Sequence, residues 1–253
     1  MAVEITVSFT PVEFESLRQN NLRETGCVVF DVLRATSTMV TALANGAMGL
    51  KPVTQIDEAL SLRRRHPDAL LAGEREGLRI GAAVTGGVDF DLGNSPREYT
   101  AERVGGRIII MTTTNGTRAL QACQAARQVA VGSFLNLKAT VRWAAQSPMK
   151  HLILVCAGTG EEAALEDTLA AGAFCAAMVL GSPDCHPNDS AEIALRAYHH
   201  SQPNLTAAIN GARNARRLLA NVDLREDVEL CLRRDVHELV AVLGPDGFVR
   251  TLG

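Results

Sequence analysis

Seven short apolar runs punctuate the chain: "VEITVSF", "GCVVFD", "LKPV", "ALLAG", "RIIIMT", "QVAVGS" and "HLILVCA". Several are continuous in apolar residues rather than alternating, the pattern of strands buried on both faces of a mainly parallel sheet. Helical segments separate them. "TQIDEALSLRRRHP" opens on a Thr54-x-x-Asp57 capping signature and stops at Pro67, and "LKATVRWAAQSP" stops before Pro148. Strands alternating with helices predict right-handed crossovers and a layered α/β fold. Three stretches repeat one order of strand, polar loop and small-residue helix: "VVFDVLRATSTMVTALANGA", "IIIMTTTNGTRALQACQAA" and "LILVCAGTGEEAALEDTLAAGA". Either this echo is what any α/β chain shows, or three loops converge at the carboxyl ends of neighbouring strands, where open α/β sheets bind ligands.

The stretch from Gly77 to Thr100 breaks the pattern. It is rich in glycine and polar residues and carries no clear period, and a long ordered loop in a compact domain is more often functional than idle. From Asp189 onward the pattern turns helical ("DSAEIALRAYHH", "TAAINGARNARRLLA", "REDVELCLRRDV") and closes on two short strands around a Gly-Pro-Asp-Gly turn. No Pro/Ser-rich linker marks a boundary, so residues 1–253 are expected to form one domain.

Composition narrows the function. The chain is 47% hydrophobic and 21% charged with a net charge of -3, which predicts an ordinary folded core and argues against a nucleic-acid-coating surface. The opening "MAVEITVSF" lacks a basic n-region, and the most apolar helix, "LEDTLAAGAFCAAMVLG", opens on two acids and is too interrupted to span a bilayer. The six cysteines form no C-x-x-C pair and read as buried, reduced thiols of a cytoplasmic protein.

Candidate chemistry gathers where strands end. Asp31 closes "VVF", placing a carboxylate at the mouth of the sheet, with Arg34, Thr36, Ser37 and Thr38 just beyond. That set suits a metal ligand or nucleophile beside an oxyanion seat; the plainer reading is a helix cap with Asp31 paired to Arg34. "TTTNGTR", from Thr112, Thr113, Thr114, Asn115, Gly116 and Thr117 to Arg118, offers backbone N–H groups and four hydroxyls at a helix start, an arrangement that binds anions. The Walker spacing and its lysine are absent. After "LVCAGTG", Glu166 and Asp167 are either helix-dipole acids or oxygen ligands for Mg²⁺. The sixth residue after Cys156 is Glu162, which would repel a phosphate, so Cys156 reads as packed. Glu74 and Arg75 follow a short apolar strand, and Asn94 and Ser95 lie in the long loop. "DCHPND" reads as a turn, His199–His200 as a fraying helix end and Arg63–Arg65 as a solvated face.

Taken in order, "FDVLRATSTMVTALANGA", "LLAGEREGL", "FDLGNSPREYT", "TTTNGTRAL", "GSFLN", "CAGT" and "LEDTLAAGA" resemble the 2-phosphosulfolactate phosphatase family over roughly Val3 to Leu180, with a looser match at "REDVELC". The resemblance implies a three-layer α/β/α fold with two similar intertwined halves. It also implies a Mg²⁺-dependent acid phosphatase that releases 3-sulfolactate, a step of coenzyme M biosynthesis in methane-forming archaea. The family's motifs fall on Asp31, Arg34, Thr36, Glu74, Asn94, Ser95, Thr112 to Thr117, Glu166 and Asp167. The metal is expected on Asp31, Glu74, Glu166 and Asp167, whose oxygens suit a hard cation. One departure is the link "RIGAAVTGGVDFDLGN", longer than the family's usual connection. Two alternatives stay open: a haloacid-dehalogenase-like phosphatase with Asp31 as nucleophile, although Leu33 stands where its second acid belongs, and a non-catalytic phosphate- or sulfonate-binding module. The expected partner is a small anionic phosphoester, with neither nucleic acid nor membrane, and a homodimer is left open.

Overall fold

The computed structural model describes residues 2–253. Eleven strands form one sheet: β1 (Val3–Ser8), β2 (Thr25–Phe30), β3 (Gly49–Pro52), β4 (Leu70–Arg75), β5 (Leu78–Arg79), β6 (Ile108–Thr112), β7 (Gln128–Gly132), β8 (His151–Cys156), β9 (Cys185–Pro187), β10 (Ala241–Leu243) and β11 (Val249–Thr251). Their order is β5-β4-β6-β3-β11-β10-β7-β2-β8-β1-β9. All seven apolar runs are strands. Two parallel blocks, β4-β6-β3 and β7-β2-β8-β1-β9, are joined edge to edge by the antiparallel C-terminal hairpin β10–β11.

The continuous apolar strands divide their side chains between two faces. In β2, Val28 and Phe30 join a core with the helices Leu137–Gln146, Leu165–Gly181 and Asp189–Ser201. Cys27 and Val29 face the other way, against the helices Phe14–Gln19, Ala35–Ala44 and Gly116–Ala122. The smaller block does likewise: Ile109 and Met111 of β6 share that second core, while Ile110 packs with Val53, Ala59, Leu71 and Phe90 in a third. Helices on both faces of a mostly parallel sheet make the expected α/β/α layering.

Several local expectations change. The helix after Thr54 begins at Ile56 with Gln55 as N-cap and no side-chain cap bond, so Thr54 and Asp57 form no capping box. "DCHPND" supplies β9, whose Cys185–Pro187 pairs in parallel with Val3–Ile5 of β1, and Asn188 caps the next helix by accepting from the N–H of Ala191. "TAAINGARNARRLLA" breaks into Leu205–Asn210 and Arg213–Leu219. Arg63 is half-buried and donates to Asp91 at 2.9 Å, leaving Arg64 and Arg65 as the solvated pair. The aperiodic stretch is pinned by buried Ile80, Phe90, Leu92 and Tyr99, and Leu92 bonds to the edge of β4 through Leu71 and Gly73. All six cysteines are buried free thiols. No helix among the described residues is long and apolar enough to cross a membrane.

Candidate active site

The loops after β2, β6 and β8 meet, although β6 is not a neighbour of the other two. Four strands separate it from β2, so a flat sheet would hold the two strands about 24 Å apart at roughly 4.8 Å per strand spacing. Asn115 Nδ2 nevertheless donates to Gly158 O at 3.0 Å. A Cβ on Gly116 would fall 2.7 Å from Asp31 Oδ2 and 2.7 Å from Ala35 Cβ. The sheet therefore curls enough to bring the two blocks' carboxyl ends together. Gly116 is glycine for this close approach: it is the first helical residue, rather than a turn residue with positive φ.

Asp31 sits at that meeting point and is 8% exposed. Its Oδ1 accepts from the N–H of Ala35, and its own N–H donates to Thr36 Oγ1 at 3.0 Å. Burial pushes its pKa up to about 7, helped by the nearby charges of Glu74 and Glu166 and opposed by the N–H groups of Ala35 and Gly116. Asp167 lies in the next loop's helix, with Oδ1 accepting from Val32 N at 2.8 Å and Oδ2 from Gly158 N at 3.1 Å. Burial, then Glu166 and Asp31, raise its pKa as well. Glu166, 1% exposed, accepts from Asn214 Nδ2 at 2.6 Å, and burial raises it too. These acids are far too buried for the helix dipole to be their main role. Glu74, at the end of β4, accepts from Thr114 N and Oγ1 at 2.8 and 2.9 Å through one oxygen and from Gly77 N at 2.8 Å through the other. It ties the long loop to the threonine run.

Arg34 is not paired with Asp31. Its guanidinium donates to Asp227 Oδ2 and to Gly77 O, both at 2.7 Å. Asp227, fully buried, also accepts at Oδ1 from Ser95 Oγ at 2.7 Å and Arg97 Nε at 2.8 Å. This acid joins three distant segments, and sequence reasoning missed it; its signal was the looser match at "REDVELC". Arg75 donates to Glu74 O and to Thr112 Oγ1, and burial lowers its pKa.

A cavity of about 380 Å³ opens over these groups, lined by Asp31, Arg34, Glu74, Arg75, Asn94, Thr114, Asn115, Asn214 and Arg217 among others. Of the threonine run, only Thr114 and Asn115 reach it. Thr113 and Thr117 lock each other, Thr117 N donating to Thr113 Oγ1 and Thr117 Oγ1 to Thr113 O. Ser37 and Thr38 donate to Val32 O and Asn94 O, and Arg118 pairs with Glu161 at the surface. Glu166 lines a smaller neighbouring cavity of about 250 Å³ with Thr159, Arg213 and Asn214. Asn214 Nδ2 donates to both Thr159 Oγ1 and Glu166, forming the wall between the two spaces. Arg217 and Asn214 line the main cavity without having been read from the sequence; their helix carried no motif. Cys156 is sealed in the core, where burial raises its thiol well above the usual range.

Two buried carboxyls and three arginines, of which Arg34 is buried, line one cavity at the carboxyl ends of an α/β sheet, which makes it the candidate site for a small anion. Comparison with known sequences gives the particular family. The model of the family described as 2-phosphosulpholactate phosphatase matches residues 12–245, and the chain belongs to that family. Three relatives each carry the name probable 2-phosphosulfolactate phosphatase. The protein of Caldicellulosiruptor saccharolyticus is 35% identical over 246 residues, covering 90% of this chain and 92% of its own. That of Caldanaerobacter subterraneus is 37% identical over 240 residues, covering 94% and 95%. That of Deinococcus radiodurans is 38% identical over 219 residues, covering 86% and 87%.

Proposed function

We propose that the protein hydrolyses 2-phosphosulfolactate, or a closely similar small phospho-acid, to 3-sulfolactate and phosphate with the help of Mg²⁺. The observation that carries the reading is the cavity itself: Asp31, Glu74, Arg34 and Arg75 line one space of about 380 Å³, enough for a three-carbon ester bearing several anionic groups. Phosphoryl transfer is mainly positioning and charge neutralisation, which such a set performs.

Fit to a hard cation rests on the donors. Every candidate is an oxygen, and the amide oxygens of Asn94 and Asn115 are buried without a hydrogen-bond donor among the described residues. Among the described residues no three of His, Cys, Asp and Glu stand close enough to ligate one ion. The four-acid set expected from the sequence, Asp31, Glu74, Glu166 and Asp167, is therefore not gathered as one ligand cluster; an ion would have to bind through one or two carboxylates and complete its shell with water and substrate oxygens, as Mg²⁺ does. Asp31 is the residue to hold it, with Asn115 and Glu74 beside it. The ion would supply neutralisation of phosphoryl charge and activation of a water. Arg34, fixed by Asp227, orients the phosphoryl group, and the Glu74–Thr114 bond keeps the threonine loop against the cavity. In the metal-free protein burial raises the Asp31 pKa to about 7, and a bound cation would favour its ionised form.

Phosphate release from a panel of small phospho-acids, with and without Mg²⁺, tests the reading. Hydrolysis of 2-phosphosulfolactate lost on chelation and restored by Mg²⁺ is expected; undiminished turnover after exhaustive chelation overturns the metal assignment. The covalent alternative, Asp31 as nucleophile, would show as ¹⁸O entering the Asp31 carboxylate in a single turnover with enzyme in excess.

A further inference from the structure

Three arginines line the main cavity, and they differ in what they have left to give. Arg34 spends one N–H of each terminal nitrogen, on Asp227 and on Gly77 O, and keeps three donors. Arg75 uses both terminal nitrogens on the carbonyls of Glu74, Thr54 and Thr112 and on the Thr112 hydroxyl. Arg217, exposed on the short helix Arg213–Leu219, makes no hydrogen bond or ion pair with any described residue. All five of its N–H donors face solvent or the cavity.

Its place is set by Gly77. Gly77 O receives Arg34 and Gly77 N–H goes to Glu74. A Cβ at Gly77 would stand 3.7 Å from the guanidinium carbon of Arg217. Arg34 and Arg217 thus both approach one glycine, the first buried and ion-paired, the second exposed and without an ion pair, its charge bearing on Glu166. Gly77 is at φ +81°, a conformation that disfavours a side chain, so the chain keeps this passage open. A guanidinium with all its donors free, beside one that is partly committed, is a fork for a second oxyanion. It shares the cavity lining with Asp31 and Arg34, and its charge also bears on Glu166; with the phosphoryl group assigned to Arg34, the anion left for Arg217 is the remote one.

We propose that Arg217 is a specificity-determining residue: it binds the carboxylate or sulfonate of the substrate remote from the phosphoryl group and thereby selects phosphoesters that carry a second anion. The inference rests on the phosphatase reading above. Arg217→Gln and Arg217→Lys are compared with the unaltered enzyme on 2-phospholactate, 2-phosphosulfolactate and phenyl phosphate, which has no second anion. For Arg217→Gln, kcat/KM is expected to fall about 10- to 100-fold on the two multi-anion esters, the range for losing a hydrogen-bonded charge, and less than about threefold on phenyl phosphate. The loss should lie mainly in KM. Arg217→Lys should recover part of it. Parallel losses on all three esters, or no loss on any, overturn the assignment. Calorimetric titration with 3-sulfolactate keeps the two readings apart. If the unaltered protein hydrolyses none of the esters, the phosphatase reading fails, and a roughly tenfold weaker sulfolactate Kd in Arg217→Gln still upholds the role of Arg217. Equal Kd values in the two proteins remove it.

Discussion

Two buried acids sit at the same end of this sheet and are treated in opposite ways. Asp227 is fully buried and saturated: two arginines and a serine hydroxyl occupy its oxygens. Asp31 is also buried but opens on the cavity; no basic side chain bonds to it, and its charged neighbours are Glu74, Glu166 and Asp167. A buried charge is tolerated when paired and hydrogen-bonded; left unpaired, it takes up a proton or waits for a cation. The first arrangement builds a frame, holding Arg34 at the cavity. The second stores a demand for positive charge where the chemistry is proposed. Substitutions at the two positions should therefore part company.

The largest effect is expected at Asp31. Asp31→Asn keeps the shape and the acceptor for Ala35 N–H while removing the charge, and turnover should fall by at least about 10³-fold, equivalent to roughly 4 kcal/mol of transition-state stabilisation. Steady-state phosphate release measures it; a tenfold loss or less would place the essential charge elsewhere. Asp227→Asn should act on folding instead. Breaking a buried pair strands the Arg34 guanidinium and should cost about 3–5 kcal/mol in urea unfolding. If Asp227→Asn unfolds like the parent protein, Arg34 has another partner and the frame is misread.

The same contrast predicts a pH signature. Asp31 has its folded pKa raised to about 7 from an ordinary 3.8. The folded state therefore binds this proton more tightly than the unfolded one. Its contribution is fully present below about pH 4 and is lost as pH rises through about 7, with a size on the order of 4 kcal/mol. Metal-free protein should lose stability between those limits, and Asp31→Asn should flatten that slope and be the more stable protein at pH 7.5. Mg²⁺ should raise the Tm of the parent at pH 7.5 and leave that of Asp31→Asn unmoved. A parent protein whose stability climbs from pH 4 to 7 would contradict this account.

Strand positions were legible because burial on both faces leaves an unbroken apolar run, as in "VVF" and "IIIM". Edge strand β9 was hidden because three residues of "DCHPND" carry no such run, and pairing with β1 decides their state. Asp31 and Glu74, at strand ends, were legible as acids that line the cavity, whereas Asp167, expected as a metal ligand, lines neither cavity and gives its oxygens to the N–H groups of Val32 and Gly158. Asp227 and Arg217 were not legible, because their roles come from the curl of the sheet, which lets late helices reach segments 120 or more residues earlier. No local pattern encodes that meeting. The threonine run was legible as a site and misleading in detail, since sequence cannot say which hydroxyls turn inward.

The smallest predicted effects lie within that run and divide it along the same line of frame against site. Thr113 and Thr117 are 2% and 1% exposed, and their hydroxyls bond to each other's backbone. Thr117→Val should leave the Thr113 carbonyl without its donor and cost about 1–2 kcal/mol of stability, the price of one buried hydrogen bond, with kcat/KM little changed. Thr114 is solvent-facing and spends its hydroxyl on Glu74 Oε1, which its own backbone N–H also reaches. Thr114→Val therefore leaves one of two tethers in place. Stability should change by less than about 0.5 kcal/mol, as for most exposed sites, while kcat/KM should fall about three- to tenfold because Glu74 is less firmly aimed. Chemical unfolding and steady-state kinetics on the two variants decide it. If Thr117→Val is the one that loses activity at unchanged stability, its hydroxyl serves the ligand rather than the helix start, and the threonine run is a single anion seat after all.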